Sequence, residues 1–592
     1  MKKIVHSKTL CLFLSLILIL NTAIYYTSAS ALAAEKIDFE LQEIMNSAEE
    51  DDEIPVIIWM SDIEHTDIEE VTKNQTLSTH NNVSFVANNY NDSEINIAEC
   101  GLLDEYIELK RSKTRETYAS ANLNKFNNIF PEKVTTLFRT TEQEQPSIDY
   151  VSVYSPTVQL KLNKEQIQQA SNSSEVEMIY YDPPIEVGGD CMDTSLEITK
   201  TKYVRDTLGF KGDGIKIGQI EDYVPKPDST NFTVSRIHID SSAPASSSSV
   251  HAEMVASIMV GKTGIVPNAS LYCTSIQRTG GWRAGIEWLL SQGVHVINIS
   301  NTLLKQTGVY GEHSRWIDHI AIQHDVHVVI AAGNYSSSNP DAAVTEAAMG
   351  NNVICVGAIN DGNSTSASNH TFASYSLYVT HTYKPDICAP GTAIKTPYGE
   401  ASGTSLAAPH VTAAVAQLCQ QKELLKTRQD LVKSILLAGT REFEGTSASG
   451  SGNNTAMQYK YGSGMLDAKN SRYVNNSIRY RAGTLTSGVT SLTHQFTVTS
   501  SDDFIRVCLS WLRNNRCSTG THQTEEDISA ASLAQMTLTV TAPNGSTIWR
   551  SSDTRGSVQL VAFEPTQTGT YTITIQRTTQ TNTSTHFAIA FY

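Results

Sequence analysis

The chain has 592 residues, a formal net charge of −17 and 18% charged residues. Such a length allows three domains, and the acidic balance argues against nucleic acid or an anionic lipid surface as a partner. Nine cysteines at scattered spacings form no disulfide framework. Cys508 and Cys517 alone stand close enough to be expected to pair, while Cys388 and Cys419 lie in apolar segments as small hydrophobes.

In chain order, Lys2 and Lys3 precede an apolar run from Leu10 to Ile24, and Ala31-Leu32-Ala33 follows it. This is the pattern of a secretory signal over residues 1–33, too short and wrongly flanked for a good membrane span, so an extracellular protein without a membrane anchor is expected. Residues 34–190 read as a separate α+β unit of ordinary domain size. Within it, Ile54–Met60 is a strand, a charged stretch from Asp104 to Arg115 an exposed helix, and Val158–Leu162 a strand. A helix from Lys164 to Ile167 and a strand from Val176 to Tyr180 close the unit.

Residues 191–472 alternate short apolar strands with helical segments such as Trp282–Leu289 and Trp316–Ile320, which means a parallel sheet covered by helices, in the α/β class. The strand within Asp213–Asp222 ends in two carboxylates, Glu221 and Asp222. His251 opens a helical run that Gly261 stops, and Gly264–Ala269 is a turn leading into the next strand. Val294–Asn301 and Val326–Asn334 are buried strands, the second running through Ala331, Ala332 and Gly333 into Asn334. Finally, Gly403-Thr404-Ser405-Leu406-Ala407-Ala408-Pro409-His410 puts a hydroxyl on a glycine-flanked turn before an alanine-rich run. Proline is best tolerated in a first helical turn, so a helix start near Ser405 is expected, with its positive dipole end beside the serine. Beyond Arg472 the composition turns to Thr, Ser and Val with strand-like alternation in His494–Val498 and Gly569–Ile575, so residues 473–592 read as an all-β sandwich or jelly roll.

The octapeptide around Ser405 resembles the serine motif of the subtilisin-like serine proteases, the subtilases (peptidase S8). An acid, a histidine and this serine occur in the order that family uses. The likeness continues through Phe372–Tyr375, Lys384–Gly391 and Gly462–Ala468 and covers roughly half the chain. It implies a secreted serine endopeptidase acting on proteins or peptides through an acyl-enzyme, with Ser405 as nucleophile, His251 as base and an acid behind it. Strand register selects Glu221 for the acid, whereas the family's usual aspartate selects Asp222; strand side chains alternate faces, so one of the two can meet His251.

By the same resemblance Asn334 is the oxyanion donor, Ser300 and Asn301 line the peptide cleft, and Ala331, Ala332 and Gly333 floor the pocket for the residue before the scissile bond, which Thr302 narrows. Residues 34–190 are then an inhibitory propeptide, making the protein a zymogen cut between Pro183 and Asp193. No metal or cofactor is needed for the chemistry; structural calcium is common in the family, but no ligand can be assigned. His-Ala-Glu-Met at 251–254 departs from the family's usual His-Gly-Thr-His, and with the unusual acid it keeps open a catalytically inactive, peptide-binding relative.

Overall fold

The computed structural model describes residues 36–49, 52–61, 103–130, 146, 148–152, 156–181, 194–244, 249–301, 306–335, 342–442, 456–513 and 533–592, apart from isolated positions and 580–584. The expected signal peptide, the expected cut between 183 and 193, Thr302 and Cys517 lie outside the described residues. The described residues form two compact units, one drawn from 36–61 and 114–181, the other dominated by 194–592.

In the first unit, β1 (Ile54–Met60), β2 (Ile148–Val151), β3 (Thr157–Leu162) and β4 (Val176–Tyr181) form an antiparallel sheet in the order β2-β3-β1-β4. A helix from Lys164 to Ser171 starts in a capping box, the Asn163 side chain accepting from the Gln166 N–H and the Gln166 side chain accepting from the Asn163 N–H. The charged stretch expected as a short exposed helix is instead part of a helix from Leu103 to Ile129. Lys110, Arg111, Thr114, Tyr118 and Phe126 on it are buried. The buried Lys110 and Arg111 lie within the charge run itself and bond to polar partners, Asp325 and the Val294 carbonyl, that composition alone does not reveal.

The second unit is built on an eight-stranded sheet: β5 (Lys216–Glu221), β6 (Ile237–Ile239), β7 (Ser270–Ser275), β8 (Val296–Ile299), β9 (His327–Ala331), β10 (Ile354–Asn360), β11 (Thr371–Phe372) and β12 (Ile387–Pro390). Its order is β11-β10-β9-β8-β5-β7-β6, with β12 also on β10; all pairs are parallel except β10 with β11. β5, β8 and β9 are almost wholly buried, as the apolar runs of a helix-covered parallel sheet require. Parallel strands deliver all their carboxyl ends to one edge, where an α/β sheet binds its ligands. A small hairpin, β13 (Ile394–Thr396) with β14 (Gly399–Ala401), precedes a long helix from Thr404 to Gln421.

That helix starts one residue before Ser405, and Pro409 is its sixth residue, beyond the first turn where it was expected. The missing N–H of Pro409 therefore costs the ladder bond to the Ser405 carbonyl.

The C-terminal region forms two four-stranded antiparallel sheets. One has the order β15 (Tyr480–Leu485), β22 (Thr585–Phe591), β17 (Ile505–Trp511), β20 (Val558–Phe563). The other has the order β16 (Ser491–Val498), β21 (Gly569–Arg577), β18 (Met536–Thr541), β19 (Thr547–Ser551). Rings from one sheet meet rings from the other, Phe496 with Phe591 at 4.8 Å and Phe563 with Tyr571 at 5.8 Å. Among the described residues Cys508 is a free thiol in the buried core of β17, and burial pushes its pKa up to about 12; its expected partner Cys517 lies outside them.

Candidate active site

Glu221 is the last residue of β5, and His251 lies in the first turn of the helix Val250–Val260. The Ser249 side chain accepts from the Ala252 N–H and so caps that helix. Gly261 ends it, its N–H reaching the Ser257 carbonyl. The structure brings Glu221 Oε2 to 3.0 Å from His251 Nδ1, both side chains buried. In the unusual His-Ala-Glu-Met segment, Glu253 Oε1 accepts from the Lys226 N–H at 3.1 Å.

Asp222, one residue on, is equally buried, and neither of its carboxylate oxygens has a hydrogen-bond partner among the described residues. Its surroundings hold its pKa at about 7, first because the carboxyl is desolvated and second because Glu221 is charged beside it; His251 pulls the other way. Two adjacent carboxyls thus live in opposite circumstances, one bonded to the imidazole and one without a donor.

Asn334 lies three residues beyond the end of β9. Its Oδ1 accepts from both the Thr404 N–H at 2.9 Å and the Thr404 hydroxyl at 3.0 Å. With the oxygen committed there, Nδ2 and the Ser405 hydroxyl both flank Gly403: a Cβ placed on Gly403 would lie 3.5 Å from Asn334 Nδ2 and 2.8 Å from Ser405 Oγ. Any side chain at 403 would collide with the hydroxyl. Ser405 Oγ is buried and makes no hydrogen bond to His251 or any other described residue. His410, further along the same helix, is no substitute base: Nδ1 meets the Leu406 carbonyl at 2.7 Å, Nε2 meets Ser195 Oγ at 2.8 Å, and burial pulls its pKa to about 4.

Of the expected cleft residues, Ser300 and Asn301 stand at the carboxyl end of β8, both buried. Ser300 Oγ accepts from Asn298 Nδ2 at 2.8 Å, and Asn298 Oδ1 accepts from Thr412 of the Ser405 helix at 2.8 Å, so this strand end is tied to the helix that carries Ser405. The Asn301 amide has no partner among the described residues. Ala331 and Ala332 are buried at the end of β9, and Gly333 takes φ +102, the left-handed region that favours glycine. The Gly333 N–H donates to Thr404 Oγ1 at 3.1 Å. Thr404 therefore fixes two neighbours at once, a role that the sequence did not assign to it; its adjacency to Ser405 at a helix start was the available signal. Among the described residues no three His, Cys, Asp or Glu side chains gather as a metal site would need.

The subtilase family model matches residues 64–464. The chain belongs to the subtilase family. Subtilisin NAT from Bacillus subtilis subsp. natto is 33% identical over 168 residues, which are 26% of this chain and 40% of that protein. Subtilisin DY from Bacillus licheniformis is 31% identical over 186 residues, 28% of this chain and 61% of the relative. The alkaline protease of Alkalihalobacillus alcalophilus is 22% identical over 301 residues, 48% of this subtilase and 74% of the relative. The match to subtilisin NAT thus spans two fifths of that protein's length. Among solved structures, the patellamide maturation protease PatA matches at 23% identity over 45% of this chain and 98% of its own, with a TM-score of 0.35.

Proposed function

We propose that this subtilase is a secreted serine endopeptidase that cleaves protein or peptide substrates, with Glu221, His251 and Ser405 as its triad and Asn334 as oxyanion donor. The observation that carries the reading is the Glu221–His251 hydrogen bond at the same sheet edge as β9 and Asn334. In the reaction, Ser405 Oγ attacks the scissile carbonyl carbon while its proton passes to His251 Nε2. Glu221 holds Nδ1–H and stabilises the imidazolium. Glutamate's extra methylene is compatible with that role, which is orientation rather than proton acceptance. Asn334 Nδ2 donates to the carbonyl oxygen once it carries negative charge, a bond stronger in the transition state than in the substrate. His251 then returns the proton to the departing amine, and water reverses the sequence to release the acid product.

The extended substrate pairs with the β8 end, placing Ser300 and Asn301 in the cleft and the residue before the scissile bond over Ala331, Ala332 and Gly333. Residues 34–190 act as an inhibitory propeptide removed between 183 and 193, residues 191–472 form the catalytic domain and 473–592 a β-sandwich. Among the described residues no helix is long and apolar enough to cross a membrane. The proposed chemistry needs no metal or cofactor.

A second reading, an inactive relative that binds peptides, draws on the Ser405 hydroxyl's having no partner among the described residues. Reaction of the processed protein with a fluorophosphonate separates the two. Rapid labelling of Ser405 at neutral pH supports the peptidase, and no labelling supports the binder. Labelling confined to acid would instead mean that the Glu221–Asp222 pair, not His251, activates the serine.

A further inference from the structure

Gly333, the residue before Asn334, is where three chain segments converge. A Cβ placed on it would lie 3.2 Å from Leu377 Cδ1, 3.2 Å from Thr345 Cγ2 and 3.3 Å from Gln306 Nε2. The same segments are stitched together by main-chain bonds: Ala343 N–H to Gln306 O at 2.9 Å, Gly308 N–H to Val344 O at 2.9 Å, and Thr345 N–H to Ala332 O at 3.1 Å. Residues 306–310 are thus one of the three segments that set the wall around Gly333. That segment runs through the buried Tyr310 into a helix from Glu312 to Gln323.

Tyr310 is held from two sides. Its hydroxyl donates to Asp318 Oδ2 at 3.2 Å, and the Asp318 carboxylate is itself fixed by the N–H groups of Asn351 at 2.9 Å and Asn352 at 2.7 Å. Against the ring lies the guanidinium of Arg513, its carbon 3.9 Å from the ring centroid. Arg513 follows β17 in the C-terminal sheets, far along the chain, and is 1% exposed. Its main chain is locked to Asn352 in both directions: the Arg513 N–H donates to Asn352 Oδ1 at 2.7 Å, and Asn352 Nδ2 donates to the Arg513 carbonyl at 2.9 Å. A cation on an aromatic face is worth most when, as here, water is excluded.

We infer that Arg513 is a positioning residue for the substrate pocket, through which the C-terminal β region braces Tyr310 and so the pocket wall against Gly333. The inference rests on the peptidase reading above and extends it: the C-terminal sheets contribute to substrate selection without touching substrate. Ordinary packing would make Arg513 matter for stability alone, lowering the number of working sites but leaving each site's choice of substrate unchanged. Bracing makes a different demand, because a pocket wall that relaxes changes what the pocket prefers.

The test uses the full processed chain and two peptide anilides that differ only in the residue before the scissile bond, phenylalanine or alanine. Rates are expressed per site titrated with fluorophosphonate. Arg513→Ala is expected to shift the phenylalanine-to-alanine ratio of kcat/KM by roughly tenfold, mainly through KM. Arg513→Lys, which keeps the charge, should recover part of that shift. Tyr310→Phe, which keeps the ring but loses the bond to Asp318, should move the ratio the same way by less, and it decides the matter should Arg513→Ala fail to fold. An unchanged ratio in every variant that folds, with only the thermal midpoint or the number of titrated sites reduced, would overturn the bracing role. A wild-type chain that takes no fluorophosphonate at Ser405 would overturn the peptidase reading itself, a result no Arg513 variant can mimic.

Discussion

At the β5 end of the site, Glu221 and His251 are joined side chain to side chain at 3.0 Å, whereas at the helix end the Ser405 hydroxyl has no partner among the described residues and its surroundings are set by Gly403, Thr404 and Asn334. One end is fixed by a charge-assisted bond. The other is fixed by scaffolding around an atom left unbonded. A base must keep one tautomer and one ring orientation through the cycle, which a carboxylate on Nδ1 enforces. A nucleophile must instead leave its lone pair available for the substrate, so rigidity is better supplied by its neighbours. Catalytic hydrogen bonds are often long before substrate binds, and the open Ser405 hydroxyl is compatible with that.

The sharpest way to break this comparison is to remove the unbonded atom. Ser405→Ala is expected to lower peptide hydrolysis about a millionfold, the scale that a subtilisin shows on losing its serine, while the protein stays folded. If maturation is intramolecular, the same variant leaves the precursor uncut between 183 and 193. Mass spectrometry of the purified variant checks this, and unaided processing would refute self-cleavage.

Next in size is the bonded end. Glu221→Gln keeps the shape but cannot hold the productive tautomer, and a loss of about ten-thousandfold in kcat at neutral pH is expected, the size seen in the serine-protease template. Asp222→Asn should retain most of the activity. The reverse result would show that the 3.0 Å contact with Glu221 is a resting arrangement and that Asp222 orients the imidazole during turnover.

How far the site was legible follows from these residues. Apolar runs marked β5, β8 and β9, because a helix-covered parallel sheet leaves its central strands no exposed face. Alternation of side chains along β5 allowed one of two neighbouring carboxyls toward His251, and register pointed to Glu221, the residue found there. What stayed hidden depends on contacts distant in sequence. Thr404 holds Asn334 from 70 positions away, and Arg513 reaches Tyr310 across the join with the C-terminal sheets. Local cues also carried only so far: the helix expected from near Ser405 is there, but Pro409 falls just past its first turn, and Cys508 is buried in the core of its strand.

The scaffolding at the serine end can be dismantled in two steps. Asn334→Ala removes the proposed oxyanion donor, and kcat should fall by about a hundred- to a thousandfold with KM little changed, the scale of the corresponding subtilisin substitution. Thr404→Val leaves the amide in place but takes away the hydroxyl that bonds both Asn334 Oδ1 and the Gly333 N–H. A smaller fall in kcat, about tenfold, is expected from one lost neutral bond pair. Steady-state kinetics on one peptide substrate compares them; if Thr404→Val equals Asn334→Ala, orientation of the amide matters as much as its presence.

The smallest expected effect concerns Asp222, and it is read in stability rather than rate. Burial and the charge on Glu221 raise its folded pKa from 3.8 to about 7. A group whose folded pKa is raised binds its proton more tightly in the native state, so its favourable contribution is complete below the unfolded value near 3.9 and fades as pH rises through about 7. Above that pH the native state must carry a desolvated carboxylate with no donor among the described residues. Asp222→Asn substitutes a neutral side chain of similar shape, so its thermal midpoint should drop less than that of the wild type between pH 5 and 8. Melting curves across that window on Ser405→Ala protein, which cannot digest itself, measure the difference. Parallel curves would mean that Asp222 finds a donor in solution, and that the contrast between the two neighbouring carboxyls is weaker than their geometry implies.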